Sequence, residues 1–253
     1  MTEAPHIKVF PSFRELVQAT AEEMVGTINR AIAARGICFV ALSGGDTPRP
    51  VYDLLGSASF RALVEWKYVH LCFGDERLVP PENPQSNFGM VNRELFSRID
   101  VPAENIHRIV GEDNPVAAAK DYERLLKDLS AGGDLRFDLL LLGLGEDGHT
   151  ASLFPGTEAV TALGSLVSAV FVPKLNSWRV TLTLECINNA RKVMFLVAGG
   201  RKATTVGRIV GAAHPSPELP AALVNPRDGE VVWMIDADAA SVLEEQMSTR
   251  SRQ

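Results

Sequence analysis

Phe137-Asp138-Leu139-Leu140-Leu141-Leu142-Gly143-Leu144-Gly145-Glu146-Asp147-Gly148-His149-Thr150 is the stretch on which the fold turns. From Phe137 to Leu142 it is nearly all apolar, without the alternation of a strand that keeps one wet face, and glycine ends it abruptly. The pattern predicts a strand buried on both faces. Ligands in open α/β sheets sit beyond the carboxyl ends of the strands, so Asp147 and His149 at that end predict a polar reaction site. A lone loop histidine is more often structural or solvated than catalytic. This one is set apart by glycines that let the backbone approach a ligand and by a carboxylate able to orient its ring.

The rest of the chain alternates helix and strand patterns around this segment. Apolar residues from Phe13 to Ile32 recur at helical spacing between a Ser12 cap and Gly36. Ile37 to Leu42 reads as a buried strand ending in Ser43-Gly44-Gly45-Asp46-Thr47-Pro48, with Thr47 expected to cap a helix through Leu55. Val69 to Phe73 is a second strand running into Gly74-Asp75-Glu76-Arg77. A proline-rich loop from Val79 to Ser86 follows, then a helix capped by Asn87 and a longer one from Asn114 or Pro115 to Leu129. Later strands are expected at Leu166 to Val172, Arg179 to Thr183, Lys192 to Val197 and Glu230 to Ile235, with a helix from Ala203 to Ile209. This order predicts an α/β fold, a mostly parallel sheet with helices on both faces joined by right-handed crossovers. With no repeat or linker, residues 1–253 read as one domain.

Hydrophobic residues make up 46% of the 253 and charged residues 22%, an ordinary balance for a globular chain with a sizeable core. A net charge of -6 argues against broad nucleic-acid binding, which needs a basic face. No basic leader or membrane-spanning apolar stretch is evident, and the widely spaced Cys38, Cys72 and Cys186 suit buried, reduced thiols. A cytoplasmic protein without a disulfide framework or zinc knuckle is the expectation.

Several strand ends carry further polar groups. The glycines after Leu42 free backbone N–H groups to face a phosphate or carboxylate, with a tight βα turn without a ligand as the blander alternative. Asp75, Glu76 and Arg77 would share that edge of the sheet, where a structural ion pair is the blander alternative. Arg179 and Lys202, each readable as a solvated charge, could together hold a phosphate.

In four ordered segments the chain resembles the 6-phosphogluconolactonases, within the larger group that includes the glucosamine-6-phosphate deaminases. The segments are Ser43 to Pro48, Gly74 to Asn87, Gly143 to Phe154 and Arg179 to Lys202. The resemblance implies a Rossmann-like three-layer sandwich that needs no metal or nucleotide. It implies hydrolysis of 6-phospho-D-glucono-1,5-lactone in the oxidative pentose phosphate pathway. Residue by residue, it implies that Gly44, Gly45, Thr47 and Asn87 bind the sugar phosphate, that Arg179 and Lys202 hold its phosphate, and that His149 is the acid/base. Asp147, Asp75 and Arg77 would face the ring or the developing charge.

The partner expected is a small phosphorylated sugar lactone, with no nucleic acid or membrane, and the assembly a monomer or weak homodimer. Phe88 and Glu185-Cys186 depart from the family pattern in ways that affect packing rather than chemistry. The sister deaminases carry a glutamate five residues after the histidine, where this chain has Phe154, which disfavours amine loss. A non-catalytic sugar-phosphate sensor is a further alternative, weakened by the absence of a basic recognition helix.

Overall fold

The computed structural model describes residues 5–112, 114–130, 135–211, 216 and 218–250. Nine strands run in chain order as β1 (His6–Phe10), β2 (Cys38–Leu42), β3 (Val69–Phe73), β4 (Asp75–Arg77), β5 (Leu139–Leu142), β6 (Val167–Val172), β7 (Ser177–Leu182), β8 (Lys192–Val197) and β9 (Glu230–Asp236) among the described residues. The helices are α1 (Phe13–Arg35), α2 (Arg49–Leu55), α3 (Ala58–Arg61), α4 (Asn87–Glu94), α5 (Pro115–Leu129), α6 (Leu184–Ile187), α7 (Ala203–Val210) and α8 (Ala237–Arg250).

Six strands form the central sheet in the order β1-β9-β8-β5-β2-β3, with every neighbouring pair parallel. Its centre is the predicted leucine strand: Leu139 to Leu142 are each fully buried. Burying a leucine side chain contributes about 2 kcal/mol, so this strand anchors the core on which the adjoining loops stand. From β2 the chain crosses to β3, whereas from β5 it crosses the other way to β8. Because such crossovers are right-handed, helices cover both faces, and β2 and β5 flank the point where the winding reverses. The crevice between them lies at the ends carrying the Ser43–Thr47 and Gly143–Thr150 loops.

A second, smaller sheet accompanies the mostly parallel sheet that the sequence predicts. Asp75–Arg77 is itself a strand, and β4, β7 and β6 form a separate antiparallel sheet. A four-residue connection joins β6 to β7, too short for the crossover that parallel pairing requires, with Asn176 closing the turn at φ 45°. The predicted Arg179 to Thr183 strand therefore begins earlier, at Ser177. Strand β1 and helix α8 were not anticipated. The first is a short edge strand whose exposed pattern lacks an apolar run.

Two predicted caps also shift. Ser12 and Asn114 cap α1 and α5 as expected. Helix α4, however, is capped by Ser86, whose Oγ accepts from Gly89 N at 3.0 Å, and Asn87 is its first residue. Helix α2 starts at Arg49 after Pro48 with no side-chain cap, so Thr47 is left to face the crevice. Phe88 packs against Phe73 and Phe96, and Glu185 accepts from Gly164 N at 2.8 Å, so both departures from the family pattern are absorbed locally.

Candidate active site

The crevice holds a cavity of about 230 Å³. Gly44, Gly45 and Thr47 reach it from the loop after β2, Asp75 and Arg77 from β4, His149 from the loop after β5, and Lys202 from the turn after β8. Seven predicted site residues, from four separate stretches of sequence, thus share one wall.

The histidine loop is fixed from several sides. Within it, Gly145 N donates to His149 O and Thr150 Oγ1 to Gly143 O. Outside it, Thr205 Oγ1 from α7 donates to Glu146 O, Ala221 N to Gly148 O, and Ser152 Oγ to Asp75 Oδ2. Two glycines leave room for side chains that pack against them. A Cβ on Gly145 would lie 1.9 Å from His149 Nδ1, and one on Gly148, where φ is 81°, would lie 2.5 Å from Leu219. Ala151 also holds a positive φ of 48°, an uncommon conformation for a residue with a side chain, directly beside the reactive segment.

Asp147 stands behind His149 rather than on the cavity wall. Its Oδ1 lies 2.5 Å from His149 Nδ1 and accepts the His149 backbone N–H, while Oδ2 accepts from Lys174. Burial alone would raise the Asp147 carboxyl, but the hydrogen bonds from Lys174 and His149 prevail and hold it well below the ordinary carboxylate range. An ionised carboxylate can only accept, so Nδ1 carries the imidazole proton and Nε2 keeps the basic lone pair. For His149, burial lowers the pKa and outweighs the raising effect of Asp147, so the ring is neutral at neutral pH. Phe154 stacks on that ring with centroids 4.1 Å apart, closing one face to water.

Asp75 and Glu76 divide structural and site roles. Glu76 is buried and accepts from the backbone N–H groups of Arg77, Asn87 and Phe88, which ties β4 to the start of α4. Asp75 is buried at the cavity edge, accepting from Ser152 and from Asn87 Nδ2. Asn87 lies behind this wall, with its Oδ1 unpaired and packed so closely that a Cβ on Gly44 would fall 1.7 Å from it. Its place is therefore beneath the glycine loop rather than lining the cavity.

Arg179 is also off the cavity wall, directly across the β4–β7 ladder from Arg77. Burial, reinforced by the like charge of Arg77 and opposed by Asp75 and Glu76, lowers its pKa. Like charges facing each other across strands are unfavourable, and an anion beside them would relieve the repulsion. Lys202 is half-buried, and burial lowers its pKa too. Lys174 was missed by sequence reasoning, since a lysine in a proline turn looks like any solvated charge and only hairpin geometry brings it to Asp147. Among the described residues no His, Cys, Asp and Glu cluster suited to a metal occurs. All three cysteines are free and buried, and among the described residues no helix is long and apolar enough to cross a membrane.

Comparison with known proteins fits this arrangement. Residues 11–233 match the family described as glucosamine-6-phosphate isomerases/6-phosphogluconolactonase. The chain is 37% identical to a 6-phosphogluconolactonase of Synechocystis over 95% of its own length and 99% of the relative's. It is 36% identical to the human 6-phosphogluconolactonase over 94% and 93% of the two chains. The solved 6-phosphogluconolactonase from Trypanosoma cruzi superposes with a TM-score of 0.85 at 32% identity, covering 96% of this chain and 98% of that one. With the fold, the ordered loops and these relatives in agreement, the chain belongs to the glucosamine-6-phosphate isomerase/6-phosphogluconolactonase family.

Proposed function

We propose that this protein hydrolyses 6-phospho-D-glucono-1,5-lactone to 6-phospho-D-gluconate, with His149 as acid and base. The observation that carries the reading is the Asp147–His149 pair, which presents a neutral imidazole to a cavity that also holds Lys202, Arg77 and the glycine loop. Kinship with 6-phosphogluconolactonases over nearly the whole chain supports the substrate. Phe154, stacked on the imidazole where the deaminases carry a carboxylate, argues against amine loss.

A δ-lactone is an activated ester, so the task is to place water against C1, remove its proton and protonate the departing ring oxygen. His149 Nε2 takes the proton as water adds to C1. Arg77 and the N–H groups of the glycine loop stabilise the oxyanion of the tetrahedral adduct. The adduct then collapses, the bond from C1 to the ring oxygen breaks, and the imidazolium returns its proton to that oxygen. Asp147 fixes the tautomer throughout. Lys202 on the cavity wall, with Arg179 across the ladder from Arg77, holds the remote phosphate, whose binding energy positions the lactone. Asp75 holds the His149 loop through Ser152 and faces the sugar, and Asn87 supports the glycine loop from beneath. The chain works as one domain in the cytoplasm, as a monomer or weak homodimer, without metal or cofactor.

The test is hydrolysis of freshly generated lactone against its spontaneous background, with His149→Ala and EDTA-treated protein in parallel. Turnover that survives EDTA and is lost in His149→Ala is expected. Wild-type turnover in His149→Ala would overturn the assignment of the base, and no rate above background would overturn the reaction.

A further inference from the structure

Lys174 occupies the Pro173–Leu175 turn between β6 and β7, on a different sheet from the histidine loop. Its ammonium nevertheless donates to Asp147 Oδ2 and stands 4.6 Å from the centroid of the Phe154 ring. Those are the two groups that hold the imidazole. Asp147 Oδ1 grips its Nδ1 edge at 2.5 Å, and Phe154 stacks on its face at 4.1 Å. We propose that Lys174 is a positioning residue for His149, locking Asp147 and Phe154 against the imidazole.

The chemistry requires a donor there. A carboxylate held only through Oδ1 can still rotate about its terminal bond, and a second charge-assisted hydrogen bond at Oδ2 removes that freedom. The ammonium over the Phe154 face adds a cation–π contact that pins the aromatic wall to the same point. The hairpin supplies the reach: Val172 pairs with Ser177, and Asn176 in the left-handed region turns the chain so that Lys174 projects from the tip.

The inference rests on His149 as the acid/base, and it makes a distinct statement about pH. The charged groups near the imidazole are Asp147 from its own loop, Lys174 from the β6–β7 turn and Asp75 from β4, with Arg77 and Lys202 lining the same cavity. Burial lowers the imidazole pKa, Asp147 and Asp75 raise it, and Lys174 lowers it. Removing the ammonium leaves the carboxylates less opposed. The ring then becomes more basic, and a smaller fraction is neutral at a given pH below neutrality.

Lys174→Met and Lys174→Arg should be compared with wild type and His149→Ala, reading kcat, KM and the pH dependence of kcat. The imidazole is titrated separately by NMR, its signal assigned by its loss in His149→Ala. In Lys174→Met, kcat is expected to fall roughly tenfold, the order of one lost charge-assisted hydrogen bond, with KM changed less than about twofold. Both the acid limb of kcat and the imidazole titration should move to higher pH, and Lys174→Arg should restore most of each. An unmoved titration with unchanged kcat in Lys174→Met, while His149→Ala is inactive, would overturn the proposal. So would a rise in KM alone, which would make Lys174 a substrate ligand. If His149→Ala stays active the base assignment fails instead, a result separable from the Lys174 titration.

Discussion

Gly145→Ala places a methyl group where the Asp147–His149 pair already stands. The added Cβ would lie 1.9 Å from His149 Nδ1, 2.2 Å from Cε1 and 2.6 Å from Asp147 Oδ1, whereas ordinary van der Waals contact begins at 3.4 Å. Gly145 is not among the glycines with positive φ, so its backbone accepts alanine and the whole conflict falls on the imidazole and its carboxylate. The ring must shift by about 1.5 Å, and a misplacement of about 1 Å at a reacting group costs on the order of 100-fold in rate. That corresponds to about 2.7 kcal/mol in the barrier. The clash is with side-chain ends that can swing away, so global stability should change little. Lys202 and Arg179 are on other elements, so KM should stay within about threefold of wild type. Initial-rate hydrolysis of freshly generated lactone, with the spontaneous rate subtracted, reads kcat and KM, and a thermal melt checks the fold. A folded variant with kcat within about threefold of wild type would refute the reasoning, because it would mean that the seated pair is not what sets the rate.

Lys202→Ala should raise KM about tenfold or more and leave kcat nearly unchanged, since a group on the remote phosphate contributes to binding rather than bond breaking; steady-state kinetics against lactone concentration decide it. The acid limb of the wild-type kcat profile should lie below pH 6.5, the ordinary histidine value, because burial lowers the pKa of His149 and the neutral form is the base; a limb above that value would contradict the assignment. Glu23 gives a stability test far from the site. Burial would raise its carboxyl, but hydrogen bonds from Lys192 and Lys8 bring it down to about 2. With a folded pKa below the unfolded one, its contribution is present above the unfolded value and fades as pH falls toward 2. Glu23→Gln should therefore cost about 2 kcal/mol in urea unfolding at pH 7 and much less near pH 3, where an equal loss at both would sink the linkage.

Much of the frame was legible because it depends on local patterns. The uninterrupted leucines of β5, cut off by glycine, read as a strand covered on both sides, and the caps Ser12, Gly36 and Asn114 mark helix ends by side chains or backbone freedom acting within a few residues. The site was legible in the same way: Asp147 and His149 touch because they are neighbours in one loop, and the glycines around them signal close approach. Strand β1 escaped notice because a short edge strand, paired on one side, has no need of an apolar run.

By itself, then, the sequence determined the alternation of helix and strand, the polar loops at the strand ends, and the family whose loops these are. Which loops meet was decided only by the tertiary structure. The reversal of winding between β2 and β5 opens the crevice, and the second, antiparallel sheet brings Asp75, Arg77 and Arg179 alongside it. Folding also sent Asn87 beneath Gly44 and carried Lys174 from a hairpin tip to Asp147. The physical reason is range: caps and strand patterns act over a few residues, whereas the Lys174–Asp147 contact spans 27 and the Asp75–Ser152 contact 77. Such contacts exist only once the two sheets have set their strand order and register.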